Sequence, residues 1–278
     1  MLFDVILFKF IICKMKRLSL IVNICISFLL IFHSGCKHDK IETIIPGKVK
    51  LVFTQTADGM SLAYDSIHYL NAAGNEFLVN EIQYFISDID LYSSSGIVTR
   101  LKRAESQDVY YIDSHLSSTW TCNVADQIAP GSYDSIAFTF GINGTKNKTG
   151  LFINPPEVNM FWPDIMGGGY HLIKMNGSWL DLSNQWQPFN FHIGIGTDTF
   201  PSPTIFYDNS FRVHLPGSSF AISENTIKTI NINMNIDSWF ITPHLWDWNV
   251  TGGAIMQYQG LMQMAKENGQ DVFSVNIN

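Results

Sequence analysis

Cysteine is scarce in this chain of 278 residues, which has only Cys13, Cys25, Cys36 and Cys122. The first three lie within or at the end of an apolar N-terminal stretch, so Cys122 is the single cysteine of the remainder. A single cysteine excludes an intradomain disulfide, and the fold therefore depends on its apolar core. With 46% apolar and 15% charged residues, the composition supports such a core and argues against disorder.

Catalytic motifs and a net positive charge are also missing. The sequence contains no glycine-rich nucleotide loop, no Gly-x-Ser-x-Gly elbow and no Cys-x-x-Cys-His haem attachment site, and its carboxylates are scattered. We therefore expect no enzymatic activity. The formal net charge is −7, and about −10 without residues 1–36, which argues against a nucleic-acid partner.

Residues 1–36 have the pattern of a signal peptide of the lipoprotein type. From Met15, two cations precede a long apolar run, and small Ser34 and Gly35 stand before Cys36, the predicted lipidation site. His33 departs from the usual aliphatic residue. Met15 is the simplest true start, because residues 1–14 are themselves apolar; a short membrane hairpin or an uncleaved anchor is the alternative. The pattern predicts an outer-membrane lipoprotein of the cell envelope, periplasmic or surface-facing.

The remaining chain divides into a tether and one domain. Residues 37–47 are polar and end in Pro-Gly, and the domain is predicted over residues 48–278. Strand patterns recur within it at sandwich spacing, for example in "KVKLVFTQ" and "FNFHIGIG". We predict a mainly β fold, an antiparallel β-sandwich with one C-terminal helix in "GGAIMQYQGLMQMAKENG" that ends at Asn268-Gly269.

One long segment, residues 143–169, has no strand periodicity. It ends in "MFWPDIMGGG", directly before "YHLIKMNG". Loops of this length are functional or disordered, and its aromatic content disfavours disorder. Two interpretations remain open for the Gly167–Gly169 triplet: it delivers Tyr170 and His171 to a site at the rim of the sheet, or it only relieves a tight corner.

Histidine and methionine offer the main chemical signal. His171 and His192 fall in neighbouring predicted strand segments, and alternation places His192 opposite the apolar face of its strand. Imidazole suits copper and zinc, and thioethers select Cu(I). The alternative is that both histidines are ordinary hydrogen-bonded residues and that the methionines, including Met256, Met262 and Met264 in the predicted helix, fill the core.

Tryptophans crowd the second half of the chain. Exposed rings could stack on sugars, so a surface lipoprotein acting as a glycan- or protein-interaction module without metal is an alternative function. The segment "ITPHLWDWNV", with Trp246 and Trp248, is where we expect exposed rings.

The order of these motifs resembles the MbnP-like family. The segments "IQYFISDIDLY", "MFWPDIMGGGYHLIKMNG" and "FNFHIGIG" carry the resemblance, which extends over about residues 48–276. It implies a β-sandwich that binds copper at the cell envelope, in copper uptake or storage. In relatives, a separate di-haem cytochrome c peroxidase oxidises a tryptophan to kynurenine, and histidines together with that product hold the metal.

The resemblance also implies roles for particular residues. His171 and His192 become the expected copper ligands, and Trp162 the expected oxidised tryptophan. The implied partners are the peroxidase, an outer-membrane transporter and the membrane through the lipid anchor. Relatives often carry a second tryptophan before the Gly-Tyr pair, which "WPDIMGGG" lacks. Since ligand histidines must be neutral, copper affinity is expected to fall below about pH 6 as imidazoles of ordinary pKa protonate.

Overall fold

The computed structural model describes residues 44–66, 68–102, 108–123, 127–200, 202–215 and 217–277. The predicted signal peptide with Cys36 and most of the predicted tether lie outside the described residues. Gly47 already belongs to the domain, since its backbone N–H donates to the Ile128 carbonyl at 2.9 Å.

Strands account for most of the regular secondary structure of the domain. They are β1 (Lys48–Ala57), β2 (Met60–Ser61), β3 (Tyr69–Leu70), β4 (Glu76–Ser93), β5 (Val98–Arg100), β6 (Val109–Asp113), β7 (Thr121–Asn123), β8 (Gly131–Phe140), β9 (Ile173–Leu180), β10 (Trp186–Ile193), β11 (Gly196–Asp198), β12 (Ile205–Tyr207), β13 (Phe211–Leu215), β14 (Phe220–Ile222), β15 (Ile227–Asn235) and β16 (Phe273–Ile277). The alternation of apolar and polar residues in the sequence predicts the main strands close to these bounds.

The strands form two sheets. One has the order β16-β15-β1-β2 with β7 also paired to β1, and the other has the order β10-β9-β4-β8-β13 with shorter strands beside β4 and β8. Strands β11 and β12 pair separately as a ribbon. Among the described residues the pairings are antiparallel, apart from the parallel β1–β15 pair.

The two sheets bury a shared aromatic core. Phe273 of one sheet packs against Phe138 and Phe140 of the other, with ring centroids 5.1 and 5.6 Å apart. Burial of each such ring stabilises the fold by about 2 kcal/mol. The predicted sandwich is thereby confirmed, and Cys122 is a buried residue of β7.

Within the described residues, the α-helices lie near the C-terminal end of the domain. A four-residue helix α1 (Trp248–Thr251) precedes the main helix α2 (Gln259–Asn268). Helix α2 ends at Asn268, as predicted. The N–H of Gly269 caps this end by donating to the Ala265 carbonyl. The helix begins only at Gln259, so Met256, which the prediction placed within it, lies outside the helix. In the part of the chain that is described, no helix is both long and apolar enough to span a bilayer.

Candidate metal centre

The long segment ahead of β9 folds into a tight corner. The Trp162 N–H donates to the Gly169 carbonyl at 2.9 Å, and the His171 N–H donates to the Met160 carbonyl at 2.7 Å. These two bonds pair the "MFW" and "GYH" stretches as a short antiparallel bridge. The turn between them is a 3₁₀ helix, Asp164–Met166, followed by the glycine triplet. The corner thus places Trp162 beside His171.

The glycine triplet has a definite geometric cause. Gly167, Gly168 and Gly169 have φ values of 107°, 69° and 83°, which residues other than glycine rarely adopt. A Cβ at Gly169 would lie 2.5 Å from Oδ1 of Asn147, and one at Gly167 would lie 2.5 Å from Ile195. Both the conformation and the close approach therefore require glycine. The tight corner also sets the position of His171, whereas Tyr170 is buried in an apolar cluster.

The structure brings the three predicted site residues together. The His171 and His192 rings are nearly perpendicular, with centroids 5.2 Å apart. The Trp162 ring meets His171 edge-on at 4.7 Å. Trp162 is fully buried and His171 is 6% exposed. The ring of Trp162 also closes over Gly194, where an added Cβ would lie 2.3 Å from the indole.

The placement of one histidine differs from the prediction. His171 lies in the corner, two residues before β9, and not in a strand, because the left-handed glycines delay the start of the sheet. His192 is in β10 and faces away from buried Phe191 and Ile193, as alternation predicts. Pairing of Ile173 with Ile193 brings the ends of the two strands together, so the histidines still meet.

Hydrogen bonds fix the rings of the site. Nδ1 of His171 lies 2.9 Å from the Met160 carbonyl, which can only accept, so Nδ1 carries the proton and Nε2 keeps its lone pair. Nε2 of His192 lies 2.7 Å from Oδ1 of Asn176. The indole N–H of Trp162 donates to the Met166 carbonyl at 3.1 Å.

Burial keeps both imidazoles neutral. Desolvation lowers the pKa of His171 to about 4, assisted by the positive charge of Lys174. Desolvation lowers the pKa of His192 to about 3, with further contributions from His171 and Lys174. The expected loss of metal affinity below about pH 6 therefore moves toward pH 4, because protons compete for these nitrogens only near the lowered pKa values.

The lowered pKa values also predict how stability depends on pH. Histidines of the unfolded chain take up protons near pH 6.5, whereas the folded pair does so only near pH 4 and below. Between these values the unfolded state binds more protons, so the free energy of unfolding falls as the pH falls. At pH 5 we expect a loss of about 2 kcal/mol for each histidine relative to pH 7.

Urea denaturation of the metal-free protein at pH 7 and pH 5 measures this loss. His192→Ala should make the difference smaller by about 2 kcal/mol. Exposed His214 on β13 supplies the control variant His214→Ala, which should keep the wild-type difference. An equal difference in the wild type and in His192→Ala would contradict the account of buried neutral rings.

The distance between the two imidazole rings is compatible with one shared metal ion. With a metal–nitrogen distance of about 2 Å, two rings on one ion have centroids at most about 6 Å apart, which the observed 5.2 Å satisfies. No cluster of three or more His, Cys, Asp or Glu side chains suited to a metal occurs among the described residues. A third donor would therefore have to come from another group.

Methionine placement restricts which thioethers can contribute. Met160 and Met175 are fully buried in apolar clusters. Met256 instead lines a cavity of about 490 Å³ together with His192, Asn190, Gln257 and Tyr258. Met256 is also partly buried against the core, as predicted, although it lies before the helix begins. The cavity gives the His192 side of the pair an approach from solvent.

The prediction that Trp246 and Trp248 are exposed is wrong. Trp246 is fully buried and Trp248 is 2% exposed. Trp248 stacks on Phe189 with centroids 4.9 Å apart, and Trp246 packs edge-on against Phe191 at 5.3 Å. The rings fill the end of the sandwich, where a core without disulfides needs large apolar surface. The interaction-module alternative therefore loses Trp246 and Trp248 as contact residues, whereas Trp186, also in the second half of the chain, is 42% exposed.

Comparison with known families agrees with the β-sandwich fold. The family model of MbnP matches residues 46–257, more than half of the chain. The chain belongs to the MbnP family. No curated protein matches it.

A solved structure supports the fold of this MbnP family member. MbnP from Methylosinus trichosporium aligns with a TM-score of 0.55 at 15% sequence identity, covering 83% of this chain and 98% of that chain. At that identity the likeness concerns the fold. The family resemblance drawn from the sequence motifs is confirmed.

Proposed function

We propose that this MbnP family member is a copper-binding protein without enzymatic activity, in which His171 and His192 hold the metal. The observation that carries the proposal is the imidazole pair itself. Two neutral rings stand 5.2 Å apart, and hydrogen bonds orient a ring nitrogen of each. Such second hydrogen bonds are usual for metal-binding histidines.

The donor set favours copper over other common metals. Structural zinc sites use four protein ligands and catalytic ones use three, whereas this site offers two imidazoles. Calcium and magnesium require oxygen ligands, which the pair lacks. Imidazole nitrogen suits copper, and a thioether such as that of Met256 beside His192 would favour Cu(I).

Trp162 is the proposed site of oxidation to kynurenine. Two equivalents of hydrogen peroxide, reduced to water at the peroxidase, would be the oxidant; the indole would open between C2 and C3, and hydrolysis would release C2 as formate. Its ring lies against His171, so the amine and ketone of that product would stand next to the imidazole pair as the missing donor. Because Trp162 is fully buried, a di-haem peroxidase cannot touch the ring in the folded protein. Oxidation in this state would require electrons to leave the indole through the surrounding protein.

The cellular setting is proposed from the N-terminal sequence. A lipid on Cys36 would hold the domain at the outer membrane, with residues 37–47 as a spacer. In that position the protein would serve copper uptake or storage, in cooperation with an outer-membrane transporter. The acidic balance of the chain is compatible with a cationic cargo.

Metal titration of residues 37–278 tests this function. The protein is produced alone and together with a di-haem peroxidase from its own genome, and each form is titrated with Cu(I) and Cu(II) against a competing chelator. We expect stoichiometric copper in at least the co-produced form, and a mass change located at Trp162. Absence of binding in both forms would refute the proposal.

A further inference from the structure

We propose that Asn176, oriented by Glu81, is a positioning residue that fixes which nitrogen of His192 is offered to the metal. The inference deepens the proposed copper site and rests on it for its functional meaning. Its structural content, the protonation of one ring nitrogen, holds for the protein without metal.

The three side chains form a row across three neighbouring strands. Glu81 belongs to β4, Asn176 to β9 and His192 to β10, and β9 lies between the other two. Glu81 pairs directly with Asn176 in the sheet. All three are intermediate in burial and alternate with buried neighbours, so they share the outer face of the sheet.

A β-bulge creates this row. The register of β4 against β9 shifts between Val79 and Glu81, which leaves Asn80 as an extra residue. Without the shift, Glu81 would not stand opposite Asn176. Bulges re-aim side chains in this way and are over-represented next to functional sites.

The hydrogen bonds to Glu81 and His192 allow only one orientation of the Asn176 side-chain amide. Nδ2 of Asn176 lies 2.5 Å from Oε1 of Glu81, and a carboxylate accepts but does not donate. The amide nitrogen of Asn176 must therefore face Glu81, so its Oδ1 faces His192. Because Oδ1 also only accepts, the proton of the His192 ring is on Nε2, and the lone pair is left on Nδ1.

The two rings of the pair are thus held in opposite forms. His171 is protonated on Nδ1 by its bond to the Met160 carbonyl and offers Nε2. His192 is protonated on Nε2 and offers Nδ1. The main chain determines which nitrogen of His171 is protonated, and the Glu81–Asn176 pair determines this for His192.

Nuclear magnetic resonance of the metal-free protein with ¹⁵N-labelled histidine tests the assignment. We expect slowly exchanging ring protons on Nε2 of His192 and on Nδ1 of His171. In Asn176→Leu, the His192 signal should be lost to exchange while the His171 signal persists, which serves as an internal control. The double variant Glu81→Gln/Asn176→Asp keeps an acceptor oriented toward His192 and should restore the signal.

Copper affinity supplies the second readout. Loss of a partner that orients a metal ligand typically weakens metal binding by about 10- to 100-fold, and we expect this for Asn176→Leu, with recovery in the double variant. A His192 ring protonated on Nδ1 in the wild type would overturn the inference, as would an unchanged signal and affinity in Asn176→Leu. If the wild type binds no copper, the proposed function fails, and the resonance experiment still decides the assignment.

Discussion

Replacing His192 by alanine should abolish tight copper binding, and His171→Ala should do the same. Each variant removes one of two imidazole nitrogens, and the described residues contain no cluster of further classical ligands to replace it. We expect a loss of affinity of at least about 100-fold, equivalent to roughly 3 kcal/mol. Competition with a copper chelator at pH 7 measures the change.

His214→Ala is the matched control for these variants. His214 is also a strand histidine, on β13, but it is exposed and is not one of the two histidines of the pair. Its replacement should leave copper affinity unchanged. Unchanged affinity in His192→Ala as well would remove this residue from the site and would refute the ligand assignment.

Gly169→Ala should destabilise the domain by about 3 kcal/mol. A left-handed conformation disfavours alanine by about 1–2 kcal/mol, and forcing a methyl group into a filled space adds a further 1–3 kcal/mol. The space is filled by Asn147, whose side chain binds both the N–H and the carbonyl of Tyr170. Displacing Asn147 would release the backbone next to His171.

Gly150→Ala separates the cost of the left-handed conformation from the cost of close packing. Gly150 lies in the same long segment and has a similar φ of 87°, but an added Cβ meets nothing within 4 Å. Only the conformational contribution remains, so we expect a loss of about 1 kcal/mol. Urea denaturation compares the two variants, and equal losses would show that close packing at the corner does not matter.

The sequence predicted the strands because their signal is local. Alternation in "FNFHIGIG" alone placed His192 on the polar face of its strand, and burial in the structure agrees. The corner was harder to predict, because "GYHLIKMNG" alternates from its first residue. Three consecutive left-handed glycines end the corner at a point that periodicity does not reveal.

Tryptophan exposure was the largest error. The sequence shows that Trp246 and Trp248 are two large side chains two positions apart, but it does not show whether they face the core or the solvent. Both lie in an irregular segment around α1, where no strand periodicity assigns a face. Their burial depends on contacts with Phe189 and Phe191, which are distant in the sequence.

Asn176 was missed for a related reason. In the sequence it is only the first residue of a glycosylation-type triplet, with no signal linking it to His192. Its role depends on the pairing of β9 with two other strands and on the bulge at Asn80. Register with an extra residue cannot be read from one sequence, so positioning residues are harder to predict than ligands.

The measurement that tests the copper site most directly is electron paramagnetic resonance of the protein loaded with Cu(II), with ¹⁵N-histidine labelling to identify the nitrogens. The account predicts two imidazole nitrogens on one copper, with one of them lost in His171→Ala and the other in His192→Ala. Copper bound without histidine nitrogen, or a spectrum unchanged in both variants, would contradict it.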